Sequence, residues 1–476
     1  MAARPVVVLL DPHHPYAGRF SAVAHEQYGL DTVCLWTDTT SWDRARSSEH
    51  LQGGGRVVAH YRVRRDALDH AARELSARHD VAGVLPHIEY RVAEAITLAE
   101  ALGVLWADAA DLRRFRDKAA LKEHIRSQPG APRINASTLV GSTDEVRDAL
   151  TTGSYDRFVL KPNDGMNNNR IGFFDASVRD ADLDAYLDQI SGTDAVMEEF
   201  LDGDEYCVNG QADADGTITT LSVYRTHHTS ANGRTQLASH FDLVRHDSPL
   251  FGMLAAYVSD VLTAAGLRRS PFHLELMVDA AGPCLIEVGA RLGGVAMAYD
   301  VAVAHHGAVD AFELAVAHYL RREPVREQRS DWAAYDQQSL RIVCGVSAVS
   351  ARAATWTGFR EVERLPGFVH WVARPRPGQR IRPTVDLATS PWQATMSAPD
   401  AAGLEAADAA VRRLVGWNAA PIDHTRAGLA AHATAVRAAA RLRLVPGLIR
   451  SRPVRLDAAP DVDLRDRSGD RVGAPS

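Results

Sequence analysis

Strand and helix alternate over the first hundred residues, and this alternation restricts the fold more than any other feature of the chain. Residues 5–11 are an unbroken apolar run closed by a Pro/His/Gly turn, the pattern of a buried strand. A helical stretch follows to about residue 28, then a second strand at 32–36. Gly53, Gly54 and Gly55 mark a loop before a short strand at 56–61. Residues 66–79 have helical period, 81–86 form another apolar strand, and 91–102 are helical again up to Gly103. This βαβ rhythm predicts a parallel, doubly wound sheet with ligands at the carboxyl ends of its strands. Residues 11–16, with His13 and His14, and residues 87–90 fall at two such ends. No GxGxxG follows the first strand, so a dinucleotide site is not expected.

The whole chain has 476 residues, enough for about three domains at roughly 150 residues each. Apolar residues make up 46% and charged residues 24%, an ordinary globular balance that supplies a core without staples. The charge of 53 − 60 = −7 offers no basic field for nucleic acid. No apolar run of about 18 residues is present to span a membrane. The opening MAARPVVVLLDPHH reads as a first strand, not a signal peptide. Cys34, Cys207, Cys284 and Cys344 lie far apart without metal spacing, which suits buried thiols in a reducing cytoplasm.

One count is more telling than these averages. Of the 53 basic residues only three are Lys, namely Lys118, Lys122 and Lys161. The Arg and Ala bias matches a GC-rich coding background. Where Lys survives it, a compact ammonium is favoured over a planar fork, or the survival is chance.

Further along, residues 117–127 read as a helix carrying two of the lysines, followed by a Pro/Gly linker at 128–134. A strand at 157–161 ends in Lys161 and opens the polar loop Asn163 to Arg170. Short strands at 196–201 and 205–211 flank a Gly turn. Residues 226–239 are rich in His, Ser, Thr and Asn and read as a loop suited to a mobile lid. Strands at 272–278 and 284–288 form a hairpin. After about residue 325 the chain is β-rich, then ends in an Ala-rich helix at 401–415 and an Arg-rich tail. The final twenty residues read as disordered.

Four segments carry chemistry. Glu275 and Glu287 are twelve residues apart on the two hairpin strands, a spacing that brings two carboxylates together on one face. Such a pair holds a hard cation such as Mg²⁺ or is simply solvated. Arg291 follows beside Gly293 and Gly294, placed to meet a phosphate or carboxylate, or to sit on a plain surface. Lys161 and Lys118 are cations where a polyphosphate would lie, and Asn167 and Asn168 sit in a Gly/Asn loop that clamps phosphate or merely turns. Glu198, Glu199, Phe200, Leu201 and Glu205 join a strand end, a turn and a second strand, a place for an adenine edge and ribose hydroxyls.

Together these segments resemble the ATP-grasp superfamily, and within it the carboxylate–amine ligases of the L-amino-acid and dipeptide ligase group. The resemblance runs to about residue 418. It implies a doubly wound parallel-sheet pre-ATP-grasp domain at 1–105, and an ATP-grasp domain of two lobes clasping ATP at 106–325. A β-rich C-terminal subdomain at 326–418 and a helical, then disordered tail at 419–476 complete it. Carried over, Lys118 and Lys161 match the nucleotide-binding lysines, Glu198 the adenine-side Glu, Leu201 the hinge and Glu205 the ribose-binding Glu. Glu275 and Glu287 match the Mg²⁺ ligands, with Mn²⁺ an alternative, and Arg291 the Arg that steadies the acyl phosphate. Glu89, Arg225, His273, Gly293 and Gly294 are the expected substrate-side residues. The chain departs from the family at the loop, where more Gly and a Ser are usual, and at Gly289, where Asn is usual. The implied activity is ATP-dependent coupling of a carboxylate to an amine in specialised-metabolite biosynthesis. Its substrates are small amino or carboxylic acids, its setting cytoplasmic, and its assembly a homodimer. The same fold using ammonia, a hydroxyl or bicarbonate, or serving as a weak nucleotide-binding module, is the alternative.

Overall fold

The computed structural model describes residues 4–12, 15–37, 55–153, 155–165, 170–190, 194–294, 310–325, 330–337, 339–352, 357–375, 379–415 and 454–456. His13, His14, Asn167, Asn168 and the final twenty residues lie outside that set. The N-terminal strands β1 (Val6–Leu10), β2 (Asp31–Trp36), β3 (Val57–Val63) and β4 (Val81–Val84) form a parallel sheet in the order β3-β2-β1-β4. β1 and β2 are buried throughout, as expected of strands covered on both faces. The helices Pro15–Tyr28 and Leu68–Arg78 make the crossovers. A segment of the tail, Val454–Leu456, adds a parallel strand beside β3, where the sequence alone suggests only helix and disorder.

The first lobe is an antiparallel sheet ordered β5-β8-β6-β7, from β5 (Ser137–Val140), β6 (Arg157–Pro162), β7 (Gly172–Asp175) and β8 (Ala195–Glu199). Val146 and Leu183, from the helices Thr143–Gly153 and Asp180–Gln189, pack on Phe158, Leu160 and Met197 of this sheet.

The second lobe is built on β9 (Asp204–Ala212), β10 (Ile218–Ala231), β11 (Arg234–Leu243), β12 (Ser270–Asp279) and β13 (Gly282–Gly289). This sheet does not stop at residue 325. β11 pairs with β14 (Ser339–Cys344), and the order β13-β12-β9-β10-β11-β14-β18-β16 runs on through β18 (Gln393–Ala398) to β16 (Phe368–Ala373). A two-stranded ribbon, β15 (Ala351–Arg352) with β17 (Arg380–Ile381), lies outside it. The β-rich C-terminal segment is thus a continuation of the lobe's sheet, and Val411 and Val415 of the helix Ala401–Val415 pack on Val343, Trp392 and Met396. No helix among the described residues is long and apolar enough to cross a membrane.

The expected lid at 226–239 is corrected by the structure. These residues are the ends of β10 and β11, turned at Asn232 and Gly233 with φ of 54° and 74°. Asn-Gly is the strongest short hairpin signal because both turn residues need positive φ. Asn232 Nδ2 donates to the carbonyls of Ser347 and Thr384, both at 2.8 Å, and ties the hairpin tip to the C-terminal segment.

Candidate active site

Glu275 and Glu287 are register partners across β12 and β13. The tight turn at the far end of the hairpin closes through Gly282, at φ 101°. His273 stands on the same face, with Nε2 3.3 Å from Glu275 Oε1 and Nδ1 2.8 Å from Asn209 Oδ1. Lys118 Nζ lies 3.3 Å from Glu287 Oε2 and donates to the Gly165 carbonyl at 2.6 Å. It opens the helix Lys118–Arg126, whose cap Asp117 accepts from the Ala120 amide at 2.9 Å. Asp117 also accepts from Asn163 Nδ2 at 2.9 Å, which fixes the start of the loop after β6. Burial and the facing Glu287 push the Glu275 carboxyl up. Burial acts on Glu287 as well, but Lys118 and Lys161 outweigh it and hold that carboxyl below the usual range. Two half-buried carboxylates of this kind, both hard oxygen donors, fit a divalent cation such as Mg²⁺. Cys207, His273 and Glu275 also present donor atoms within 4.8 Å of one another.

Behind this pair lies a buried charge cluster. Glu198 is 3% exposed and accepts from Lys122 Nζ at 2.7 Å, with Lys161 Nζ at 2.9 Å. Asn135 Oδ1 accepts a further bond from Lys122 at 2.8 Å. Burial alone raises a carboxyl, yet the two lysines outweigh it and bring Glu198 down to about 2. Burial likewise lowers Lys122, to about 8, against the opposing pull of Glu198. Lys161 is also desolvated, but Glu198, Glu287 and Glu275 together raise it, so it stays an ammonium. Glu89 too is brought down to about 2, where Arg291 and Arg116 overcome its burial. Glu198 and Glu89 therefore ionise more readily folded than unfolded. Their stabilising contribution is present above the ordinary carboxylate range, near pH ~4.3. It is lost as the pH falls from about 5 toward 2. The thermal midpoint is expected to drop across that interval, and a midpoint level from pH 5 to 3 would contradict the assignment.

Between the two lobes runs the hinge. The Glu199 amide donates to the Ala136 carbonyl at 3.0 Å and the Phe200 amide to the Arg157 carbonyl at 3.3 Å, and Leu201 follows them, buried. Arg157 covers the Phe200 ring at 3.7 Å. Glu205, at the start of β9, lies 3.3 Å from His228 Nε2 of β10. Alternation along β10 puts Arg225 opposite Tyr206, on the other face of the sheet. Arg225 there meets Asp204 at 2.6 Å and is not brought to the carboxylate pair, which corrects the expectation that it is a substrate-side residue.

The N-terminal domain closes the site. Glu89, at the end of the turn after β4, accepts from both Arg116 and Arg291. The cleft is lined by Glu89, Arg116, Lys118, His273, Glu287 and Arg291. Tyr16 donates to the Gly294 carbonyl at 2.6 Å. A Cβ on Gly293 would stand 2.5 Å from both Asn209 Oδ1 and His273 Nδ1, so glycine is needed there for space.

Comparison with known proteins agrees with this arrangement. Residues 176–299 match the ATP-grasp domain family, a stretch that holds the hinge, Glu205, both facing carboxylates and Arg291. Residues 176–299 are therefore similar to an ATP-grasp domain. It is 24% identical over 322 residues to dapdiamide A synthase of Enterobacter agglomerans, covering 66% of this chain and 74% of that one. Its fold is similar to that of L-amino acid ligase from Bacillus licheniformis, with a TM-score of 0.68 at 18% identity, over 87% of this chain and 98% of that chain. The carboxyaminoimidazole ribonucleotide synthase of Aspergillus clavatus, solved with ATP, gives a TM-score of 0.62 at 15% identity, covering 87% and 98%.

Within this cleft several residues escaped the sequence reading. Lys122 had a signal, since it is four residues after Lys118 and a helix puts i and i+4 on one side. Asn135, Asn209 and Cys207 had none, because they enter through contacts between segments far apart in the sequence.

Proposed function

We propose that this chain is an ATP-dependent carboxylate–amine ligase, forming an amide or dipeptide with release of ADP and phosphate. The observation that carries the reading is the facing pair Glu275 and Glu287, set among Lys118, Lys161 and Arg291. The match to dapdiamide A synthase and the fold of an L-amino acid ligase support it.

Glu275 and Glu287 would hold Mg²⁺, or Mn²⁺ on the same oxygens, and the ion would supply charge neutralisation on the phosphates. Lys161 and Lys118 draw the phosphate oxygens toward the carboxylate pair. The base lies against the Leu201 edge of the hinge, and Glu205 accepts from ribose hydroxyls. A substrate carboxylate oxygen attacks the terminal phosphorus, and the bond to ADP breaks with its electron pair leaving on ADP. The amine nitrogen then attacks the acyl carbon, phosphate departs with the electron pair of the acyl–oxygen bond, and the nitrogen loses a proton. Arg291 stabilises the oxyanion formed between these events. Substrates are small amino or carboxylic acids, and Glu89, His273, Gly293 and Gly294 border their side of the cleft. A cytoplasmic setting suits the four buried free thiols, and homodimer assembly belongs to the same reading.

Phosphate release from Mg²⁺·ATP across the twenty amino acids, singly and in pairs, tests the reading. Release is expected to require an amino acid, with a product mass equal to both partners less one water. Capture by ammonia or a hydroxyl would appear as a different product mass. A protein that neither binds ATP nor releases phosphate with any of them would overturn it.

A further inference from the structure

Gly289 closes β13 and is not among the glycines at positive φ, so its backbone does not call for glycine. Space does. A Cβ at 289 would stand 2.7 Å from Glu89 Oε2 and 3.5 Å from Arg291 Cζ and Nε. The volume that a side chain at 289 would fill is taken by a carboxylate delivered from the N-terminal domain. That carboxylate is spent on two guanidinium groups. Its Oε2 accepts from Arg291 Nε and its Oε1 from Arg116 Nη1. Arg291 Nη1 donates to the Leu292 carbonyl at 2.9 Å, so two of its three nitrogens are fixed. Among the described residues Nη2 has no partner. Arg116 Nη2 donates to the Asp164 carbonyl at 2.9 Å and so anchors the loop next to the Lys118–Gly165 contact.

We infer that Glu89 is a positioning residue for phosphoryl transfer, which aims Arg291 Nη2 at the transferred group and anchors the phosphate loop through Arg116, and that Gly289 exists to admit it. The inference rests on the ligase reading for what Arg291 meets, and on geometry alone for what holds Arg291. A guanidinium held at two points loses little freedom when its third nitrogen binds, and a misplacement of about 1 Å at such a site costs about 10²-fold. Glu89 is ionised across the working pH range because the two arginines outweigh its burial, so the clamp does not titrate near neutrality. An amino-acid ammonium approaching Glu89 has to share it with both guanidinium groups.

The test uses the full-length protein, ADP and orthovanadate as a mimic of the transferred phosphoryl group, with Mg²⁺ present and calorimetric affinity as the readout. The wild type is expected to bind ADP more tightly when orthovanadate is added. Glu89→Gln and Gly289→Ala are each expected to bind ADP alone within about 3-fold of wild type, yet to lose about 10-fold or more of the orthovanadate effect. The double variant should lose no more than the worse single, because both substitutions break one clamp. Once a substrate is known, kcat should fall about 10²-fold with the KM for ATP little changed. Gly289→Ala removes no charged group and only crowds Glu89 and Arg291, so its loss cannot come from a missing charge. Orthovanadate tightening retained in both single variants would overturn the inference and leave the ligase reading standing. A wild type that binds no ADP would overturn both.

Discussion

Glu287→Ala is expected to lower amino-acid-dependent phosphate release from ATP on the order of 10²–10³-fold or more, with the fold intact. The carboxylate faces Glu275 across the hairpin and has Lys118 Nζ at 3.3 Å. Removing it deletes half of the proposed oxygen set for a divalent cation and takes from Lys118 one of its two contacts, the other being the Gly165 carbonyl. The same substitution relieves Glu275 of its facing charge, which after burial is the largest cause that pushes that carboxyl up. Loss of a repulsive neighbour offsets loss of the Lys118 contact, so the thermal midpoint should stay within a few degrees of wild type. Activity lost while stability is held is the mark of a group placed for chemistry at the expense of the fold. Parallel turnover and thermal-unfolding measurements check it. A fall of many degrees in the midpoint would make Glu287 a structural residue instead.

Glu198→Gln is expected to do the opposite and remove stability first. One carboxylate, 3% exposed, balances the ammonium groups of Lys122 at 2.7 Å and Lys161 at 2.9 Å. Deleting the shared counter-ion leaves buried Lys122 without its carboxylate and Lys161 with only the more distant Glu287 and Glu275, a loss of about 3–5 kcal/mol for a buried ion pair broken on one side. Lys122→Met removes one cation but leaves the Lys161–Glu198 pair, and should destabilise less. The double variant Lys122→Met/Glu198→Gln should lose clearly less than the sum of the singles, since the groups share one network. Denaturant unfolding of the four proteins measures this directly. Additive losses would mean that Lys122 and Glu198 act independently, contrary to their contact.

The outline of the fold was legible because its signals are local. Continuous apolar runs marked β1 and β2, and a twelve-residue separation put Glu275 opposite Glu287, as the register bears out. Residues 226–239 were misread because polar composition outweighed the Asn232-Gly233 turn, and the end of a hairpin tolerates polar side chains. Arg225 was misplaced by one step of alternation, which in a strand reverses the face. The Glu198 cluster was half visible. The survival of three lysines pointed to Lys118, Lys122 and Lys161, but nothing local tells that Lys122 reaches a strand 76 residues away. Glu89 and Gly289 were each noted separately. That one fills the space of the other needs the two domains in place, and no spacing rule carries it.

The central claim is that a substrate carboxylate is phosphorylated before the amine arrives. The most direct measurement uses the amino acid found to support phosphate release, labelled with ¹⁸O in its carboxyl group, and follows the label by mass spectrometry. The expected result is one ¹⁸O atom in the released phosphate, transferred when the acyl–oxygen bond breaks. Unlabelled phosphate, formed by water attacking ATP directly, would contradict the acyl-phosphate route and the roles given to Arg291 and Glu89.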